Sequence, residues 1–363
     1  MAAKASNGGR TALGRSTSEG SSDLHGWPRI FALATGGLID TAAKLGPRKA
    51  GSLAAGLSGV FGKPNIRPAR PEGRYLPAGP TSEGTRWSHY ISLALSRTPL
   101  GSMLRRVPFV EATYNHSALI CHDQSHLLSG TYSTYAQARA AIPRGRAAGW
   151  DNEAAATIWS DCVDPVRPGS YPLFFWLLRL LRPGASLIDY GGSVGLTYYG
   201  YHRYASLPER ARWTVVELPL TVVQGRRIAE RKDARNLFFT SDITTPSACD
   251  ILLAAGSLQY VEHSVPGLLE LLPARPRWLL LNKLPLGKGA EFWTLDNIGP
   301  AVAPYRIFNR EAFMSYFEER GYVLRDFWQV AELKCDIAFH PANHLRQHVG
   351  MCFEHCASSV RLQ

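Results

Sequence analysis

Residues 186–195 constrain the fold more than any other stretch of the chain. SLID (186–189) reads as a short buried strand that ends in an acid, Asp189. Tyr190-Gly191-Gly192-Ser193-Val194-Gly195 follows, and 194–206 reads as a helix. Glycines at such a turn let the backbone pass close to a ligand, and the helix start presents unpaired N–H groups. The pattern predicts a ligand-binding turn of nucleotide type between a strand and a helix.

The chain downstream repeats the alternation. An apolar helix over 171–181 stops at Pro183-Gly184. Strands are predicted at 213–218, 237–241, 250–256 and 278–284, with helices at 220–231 and 264–272. Short buried strands alternating with helices predict a parallel sheet covered on both faces. The end reads as helix 309–320, strand 322–330 and strand 334–340. Their short connection predicts an antiparallel pair at one edge. Upstream, 132–148 reads as a helix stopped near Pro143, and 87–106 as another.

Charge divides the chain. Residues 1–150 hold 18 Lys+Arg against 7 Asp+Glu, whereas 151–363 hold 22 of each, so the whole net charge of +11 lies in the first part. Residues 1–26 read as a disordered basic tail. Residues 27–110 read as a helical and linker extension, with apolar-faced segments at 27–45 and 48–62 and a proline-rich linker at 63–86. The main folded domain is expected over 120–363. A basic, apolar-faced extension suits an anionic membrane surface or another polyanion. No uncharged apolar run reaches the ~18 residues of a spanning helix. The expected location is cytoplasmic, peripheral to the inner face of the membrane. The 32 Arg against 8 Lys accompany abundant Ala and Gly, and no specific nucleic-acid partner is read from them. Six cysteines without a CxxC pair predict neither a disulfide framework nor a metal site, Cys352, His355 and Cys356 being too few.

The spacing Asp189-x-Gly191-x-x-x-Gly195 is neither a GxGxxG dinucleotide fingerprint nor a P-loop, which disfavours an NAD-dependent oxidoreductase. Glu217 ends the second strand (VVEL), where an acid accepts hydrogen bonds from ribose hydroxyls in doubly wound folds. Asp242 ends the third, and the fourth opens at Gly256 into Ser257-Leu258-Gln259-Tyr260-Val261-Glu262-His263. Together these segments resemble class I S-adenosylmethionine-dependent methyltransferases. Three further segments, 171–177, 294–300 with 305–310, and 338–341, resemble a narrower bacterial methyltransferase family associated with cell-surface polysaccharide loci. The resemblance covers roughly 128–355. It implies a Rossmann-like sheet, mostly parallel with an antiparallel edge strand, and a helical N-terminal addition. It implies S-adenosylmethionine as methyl donor, held by Asp189, Gly191, Gly192, Gly195, Glu217, Leu218, Asp242, Ile243 and Gly256, with Asp242 toward the adenine amino group and Ile243 beside the ring. Asp296 departs from the family pattern, which tends to a neutral amide there.

Methyl transfer from a sulfonium needs alignment and exclusion of water, and a hydroxyl or amine acceptor needs a base. His263 is the first candidate base and His340 the second, with Lys283 and Tyr260 as further pocket residues. Tyr198, Tyr199, Tyr201 and Tyr204 follow the glycine turn, where aromatic faces suit a sugar ring or a cation. The expected acceptor is a small molecule or a glycan. The alternative is a non-catalytic module that keeps the fold and docks to a membrane or surface-assembly complex. Oligomeric state is not legible.

Overall fold

The computed structural model describes residues 91–121, 125–158, 166–263, 265–272 and 274–356. The tail at 1–26 and the segments predicted at 27–62 and 63–86 lie outside them. Twelve strands are described: β1 (Ser125–Tyr132), β2 (Ala147–Ala148), β3 (Ser186–Tyr190), β4 (Arg212–Val216), β5 (Leu237–Thr240), β6 (Ile251–Ala255), β7 (Trp278–Leu284), β8 (Leu286–Gly287), β9 (Phe292–Ile298), β10 (Ala301–Asn309), β11 (Tyr322–Val330) and β12 (His348–His355). Described helices include α1 (Pro99–Leu104), α2 (Val110–Ile120), α3 (Tyr135–Ala140), α4 (Glu153–Thr157), α5 (Tyr171–Leu180), α6 (Leu196–Tyr201), α7 (Pro219–Arg231), α8 (Val265–Glu270) and α9 (Arg310–Glu318).

Seven strands form the main sheet in the order β11-β12-β7-β6-β3-β4-β5. β3, β4, β5, β6 and β7 run parallel, while β12 is antiparallel to both β7 and β11. This is the Rossmann-like α/β architecture expected, with the antiparallel strand one place in from the edge. Period-two alternation explains the two covered faces. Leu187, Leu253 and Leu280 point into one core with Leu173 and Leu177 of α5, Tyr198 of α6 and Val222 of α7. Their neighbours Ile188, Leu252, Leu279 and Leu281 point into the other, with Leu268 of α8 and Phe313 and Phe317 of α9.

The strand predicted at 334–340 is not formed. There the Phe339 N–H donates to Leu95 and the His340 N–H to Ile337, which leaves no regular ladder, and Pro341 follows. β12 takes the place of that strand. Similarly, the helix predicted over 132–148 is only α3, six residues long.

A second sheet, which the sequence pattern does not predict, has the order β1-β9-β10-β2, with β8 beside β10. β10 packs on the single 3-10 turn Leu258–Tyr260 that follows β6, so this sheet stands over the carboxyl end of the main one. Residues 91–110 pack on the C-terminal part of the chain: Leu95 meets Ala338 and Phe339, and the Arg97 guanidinium binds Asp336 (Nε–Oδ1 2.7 Å). Residues 241–250 connect β5 to β6 without a helix. Beside the edge strand β5 lies a groove of about 720 Å³, lined in part by Arg212, Arg226, Phe238 and Pro246, and no residue of the glycine turn borders it. No described helix is long and apolar enough to cross a membrane.

Candidate functional site

The strand order reverses between β3 and β6, and in open α/β sheets the ligand crevice lies outside the carboxyl ends of the strands at such a switch point. The glycine turn leaves β3 there. Gly191 has φ +68° and its N–H donates to the Val216 carbonyl (2.8 Å), which draws the turn toward the end of β4. A Cβ on Gly191 would collide with Cβ of Ser257, which follows β6 and whose hydroxyl donates to the Tyr190 carbonyl. Gly192 lies against the Asp189 carboxyl group, where a Cβ would overlap it. Gly195, at φ +93°, precedes α6. At Gly191 and Gly192 the turn thus has no room for a side chain.

Asp189 is fully buried. Its Oδ2 accepts from Trp213 Nε1 (3.1 Å), while Oδ1 is buried without a hydrogen-bond partner. Burial pushes its carboxyl up to about 7; the Trp213 bond opposes this, the Glu217 charge adds to it, and Lys283 opposes it. Glu217 follows β4 and is half-buried. Its Oε1 accepts from the Ser193 N–H (3.1 Å) and its Oε2 from the Leu218 N–H (2.7 Å). Burial raises its pKa, the two N–H groups pull it down, and the Asp151 charge raises it. Asp189, Gly191, Gly192, Gly195, Glu217 and Leu218 therefore gather around one turn. Gly256 (φ +99°) lies beside Lys283, where a Cβ would come within 3.1 Å of Cδ. Lys283 itself holds a left-handed backbone, φ +60°.

Asp242 ends up at the carboxyl end of β5, exposed, with Oδ1 accepting from the N–H (2.9 Å) and hydroxyl (2.8 Å) of Thr244. Those bonds hold its pKa down. Ile243 is buried with Ile188 and Val216. Tyr198 and Tyr201 are core residues packed against Trp213, Tyr204 is exposed beside Tyr171, and Tyr199 is half-buried. His263 is exposed on the loop before α8. His340 is buried, its Nε2 2.7 Å from Glu111 Oε1 on α2, which also faces Arg105 (3.3 Å). That pair ties α2 to the C-terminal segment.

The second sheet brings a polar cluster to the same end of the molecule. Tyr260 donates to Asp296 Oδ2 (2.7 Å), and His126 Nδ1 lies 3.5 Å from that oxygen. Tyr305 pairs with His348 Nε2 (2.7 Å). Burial lowers His348 to about 4, so it is neutral. Arg306 donates to the Val261 (3.0 Å) and Glu262 (2.6 Å) carbonyls and so pins the loop behind Tyr260. Sequence reasoning names Tyr260 and Asp296, reaches Tyr305 only within the segment 305–310, and passes over His126 and His348. The legible signal is an acid and an amide, Asp296 and Asn297, inside an apolar strand.

The buried, half-satisfied Asp189 carboxyl group and the tightly packed Gly191 and Gly192 are the polar and steric features of this turn. No family model matches the chain, and no curated protein matches it. Among solved structures it is similar to a SAM-dependent methyltransferase from Geobacter sulfurreducens in complex with S-adenosyl-L-homocysteine (17% identity, 50% of this chain and 75% of that one, TM-score 0.33). It is similar also to the CcbJ methyltransferase from Streptomyces caelestis (12%, 58% and 99%, TM-score 0.39). A third is magnesium protoporphyrin IX methyltransferase from Synechocystis with bound SAM (12%, 51% and 77%, TM-score 0.34).

Proposed function

We propose that the chain is a methyltransferase that uses S-adenosylmethionine. The observation that carries the reading is the meeting of Gly191 and Ser257 across the β3/β6 switch point, with Asp189 and Glu217 on either side. In this reading the glycine cradle admits the donor's backbone-sized edge and Glu217 accepts from its ribose hydroxyls. Leu218, Gly256, Asp242 and Ile243 complete the binding surface. The donor supplies an activated methyl group, so the protein's own work is to orient the acceptor, exclude water and take a proton. The acceptor is a small molecule or glycan, and the resemblance favours surface-polysaccharide metabolism in the bacterial cytoplasm. The basic region before residue 91 serves as a tether to an anionic membrane face.

Calorimetry with S-adenosylhomocysteine against NAD tests the donor. Binding of the first and not the second is expected. Binding of neither supports the non-catalytic docking module, and binding of NAD alone overturns the assignment.

A further inference from the structure

β1 carries a register shift between Ser125 and Leu127, so His126 is the bulged residue, with φ +62°. Bulges re-aim a side chain out of the regular ladder. Here the imidazole stands 47% exposed in front of a carboxylate, Asp296, whose side chain is 2% exposed. Asp296 sits on the central strand β9, paired with Leu128 on one side and Ala303 on the other. Its Oδ2 is shared by Tyr260 and His126, while Oδ1 is buried without a hydrogen-bond partner. An ionisable group so placed is costly to bury, and its occupied oxygen faces an accessible histidine. Tyr260, which fixes that oxygen, ends the turn begun at Ser257, the residue touching Gly191. The cluster therefore lies one 3-10 turn from the donor cradle. The Trp150 and Tyr305 rings stand nearly perpendicular to the Tyr260 ring, with centroids 5.3 and 5.1 Å from its own.

We infer that His126, oriented by Asp296, is the catalytic base for a hydroxyl acceptor, so that the product is a methyl ether. The inference rests on the donor reading above. Nδ1 of His126 faces Asp296 and leaves Nε2 for the acceptor. As the acceptor oxygen bonds to the methyl carbon, its proton passes to Nε2. The carbon–sulfur bond breaks with its electron pair going to sulfur. The positive charge lost by the sulfonium reappears on the imidazolium, where Asp296 offsets it. A hydroxyl needs this help because it cannot shed its proton to water at neutral pH. Partial desolvation of the ring acts to lower the His126 pKa, Asp296 outweighs it by charge and hydrogen bond, and Arg167 opposes Asp296; the net shift is upward.

The test uses the full chain, His126→Ala and Asp296→Asn. S-adenosylhomocysteine affinity is measured first; failure of the wild type to bind defeats the donor reading itself, independently of any acceptor. Nitrogen-15 NMR then follows the His126 ring. The wild type is expected to hold the Nδ1–H tautomer with a raised pKa, and Asp296→Asn to lower that pKa. An Nε2–H tautomer, or no change in the variant, overturns the pairing. Transfer of tritiated methyl from S-adenosylmethionine is assayed on methyl glycosides and on the matching amino sugars. Methyl ethers are expected, with His126→Ala at least ~100-fold slower, partly rescued by imidazole, and unchanged in S-adenosylhomocysteine affinity. Label on nitrogen only, or a variant as fast as wild type, overturns the inference.

Discussion

Trp213 Nε1 donates to Asp189 Oδ2 at 3.1 Å between neighbouring strands, inside a region closed to solvent. Trp213 pairs with Leu187, two residues before Asp189, so both side chains share one face of the sheet. The indole supplies one hydrogen bond to a carboxyl group that has two oxygens, and the second oxygen is buried without a hydrogen-bond partner.

Asp189→Asn should stabilise the ligand-free protein while weakening the donor site. Burial raises the Asp189 pKa to about 7. A raised folded-state pKa contributes stability that is complete below the unfolded value near 4 and is lost as pH rises through about 7. Above pH 7 the buried charge costs on the order of 4 kcal/mol. The amide keeps an acceptor for Trp213 and carries no charge. Thermal unfolding should show a higher Tm for the variant at pH 8 than for wild type, with the gap narrowing by pH 5 and closing near pH 4. An equal gap at pH 8 and pH 4 would refute the buried-charge account.

Gly191→Val places a side chain against Ser257 at a backbone angle that favours glycine. S-adenosylhomocysteine affinity should fall at least ~10-fold, or about 1.4 kcal/mol. A folded variant with wild-type affinity would show that the cradle is not the donor site.

The main sheet, β12 apart, is legible in the amino-acid sequence because its strands are short, apolar and punctuated by Pro-Gly or glycine turns. The second sheet is not. β9 and β10 are buried on nearly every residue, so they lack the alternation that marks a strand, and Gly299, Pro300 and Pro304 read as loop signals. β12 begins at a buried His348 and contains Gly350, which faces Trp328. The glycine turn is legible for the opposite reason: Asp189, its glycines and Glu217 lie within two consecutive strand–helix units. The base candidate is hidden because His126 joins Asp296 only through a pairing of segments 170 residues apart.

Glu217 has a double role that can be separated. It braces Ser193 and Leu218, and in the proposed function it also accepts from ribose. Glu217→Ala should cost roughly 2–3 kcal/mol of S-adenosylhomocysteine affinity, since bonds to a charged acceptor are the strong ones. A dideoxy-ribose analogue should bind wild type and variant about equally. Because burial raises its pKa, wild-type affinity should decline as pH falls through that value. If the variant still discriminates between the two ligands, ribose is held elsewhere.

The last prediction concerns where the basic extension can be cut. Leu95 packs under Phe339, Arg97 binds Asp336, and a Cβ on Gly101 would collide with the Leu95 carbonyl. Residues 91–110 are therefore part of the folded body, although the charge pattern groups them with the N-terminal segment. Burial of a leucine is worth about 1.5–3 kcal/mol, and its loss also bares Phe339. A chain beginning at residue 111 should lose several kcal/mol of stability by denaturant unfolding, whereas one beginning at 91 should keep it. Co-sedimentation with anionic liposomes then isolates the tether. Each basic residue near an anionic leaflet contributes about 1 kcal/mol, less at high salt. Full-length protein should bind at low salt and release at high salt, and the chain from 91 should not bind. Equal binding by both would move the membrane contact onto the folded body, and no binding by either would remove it.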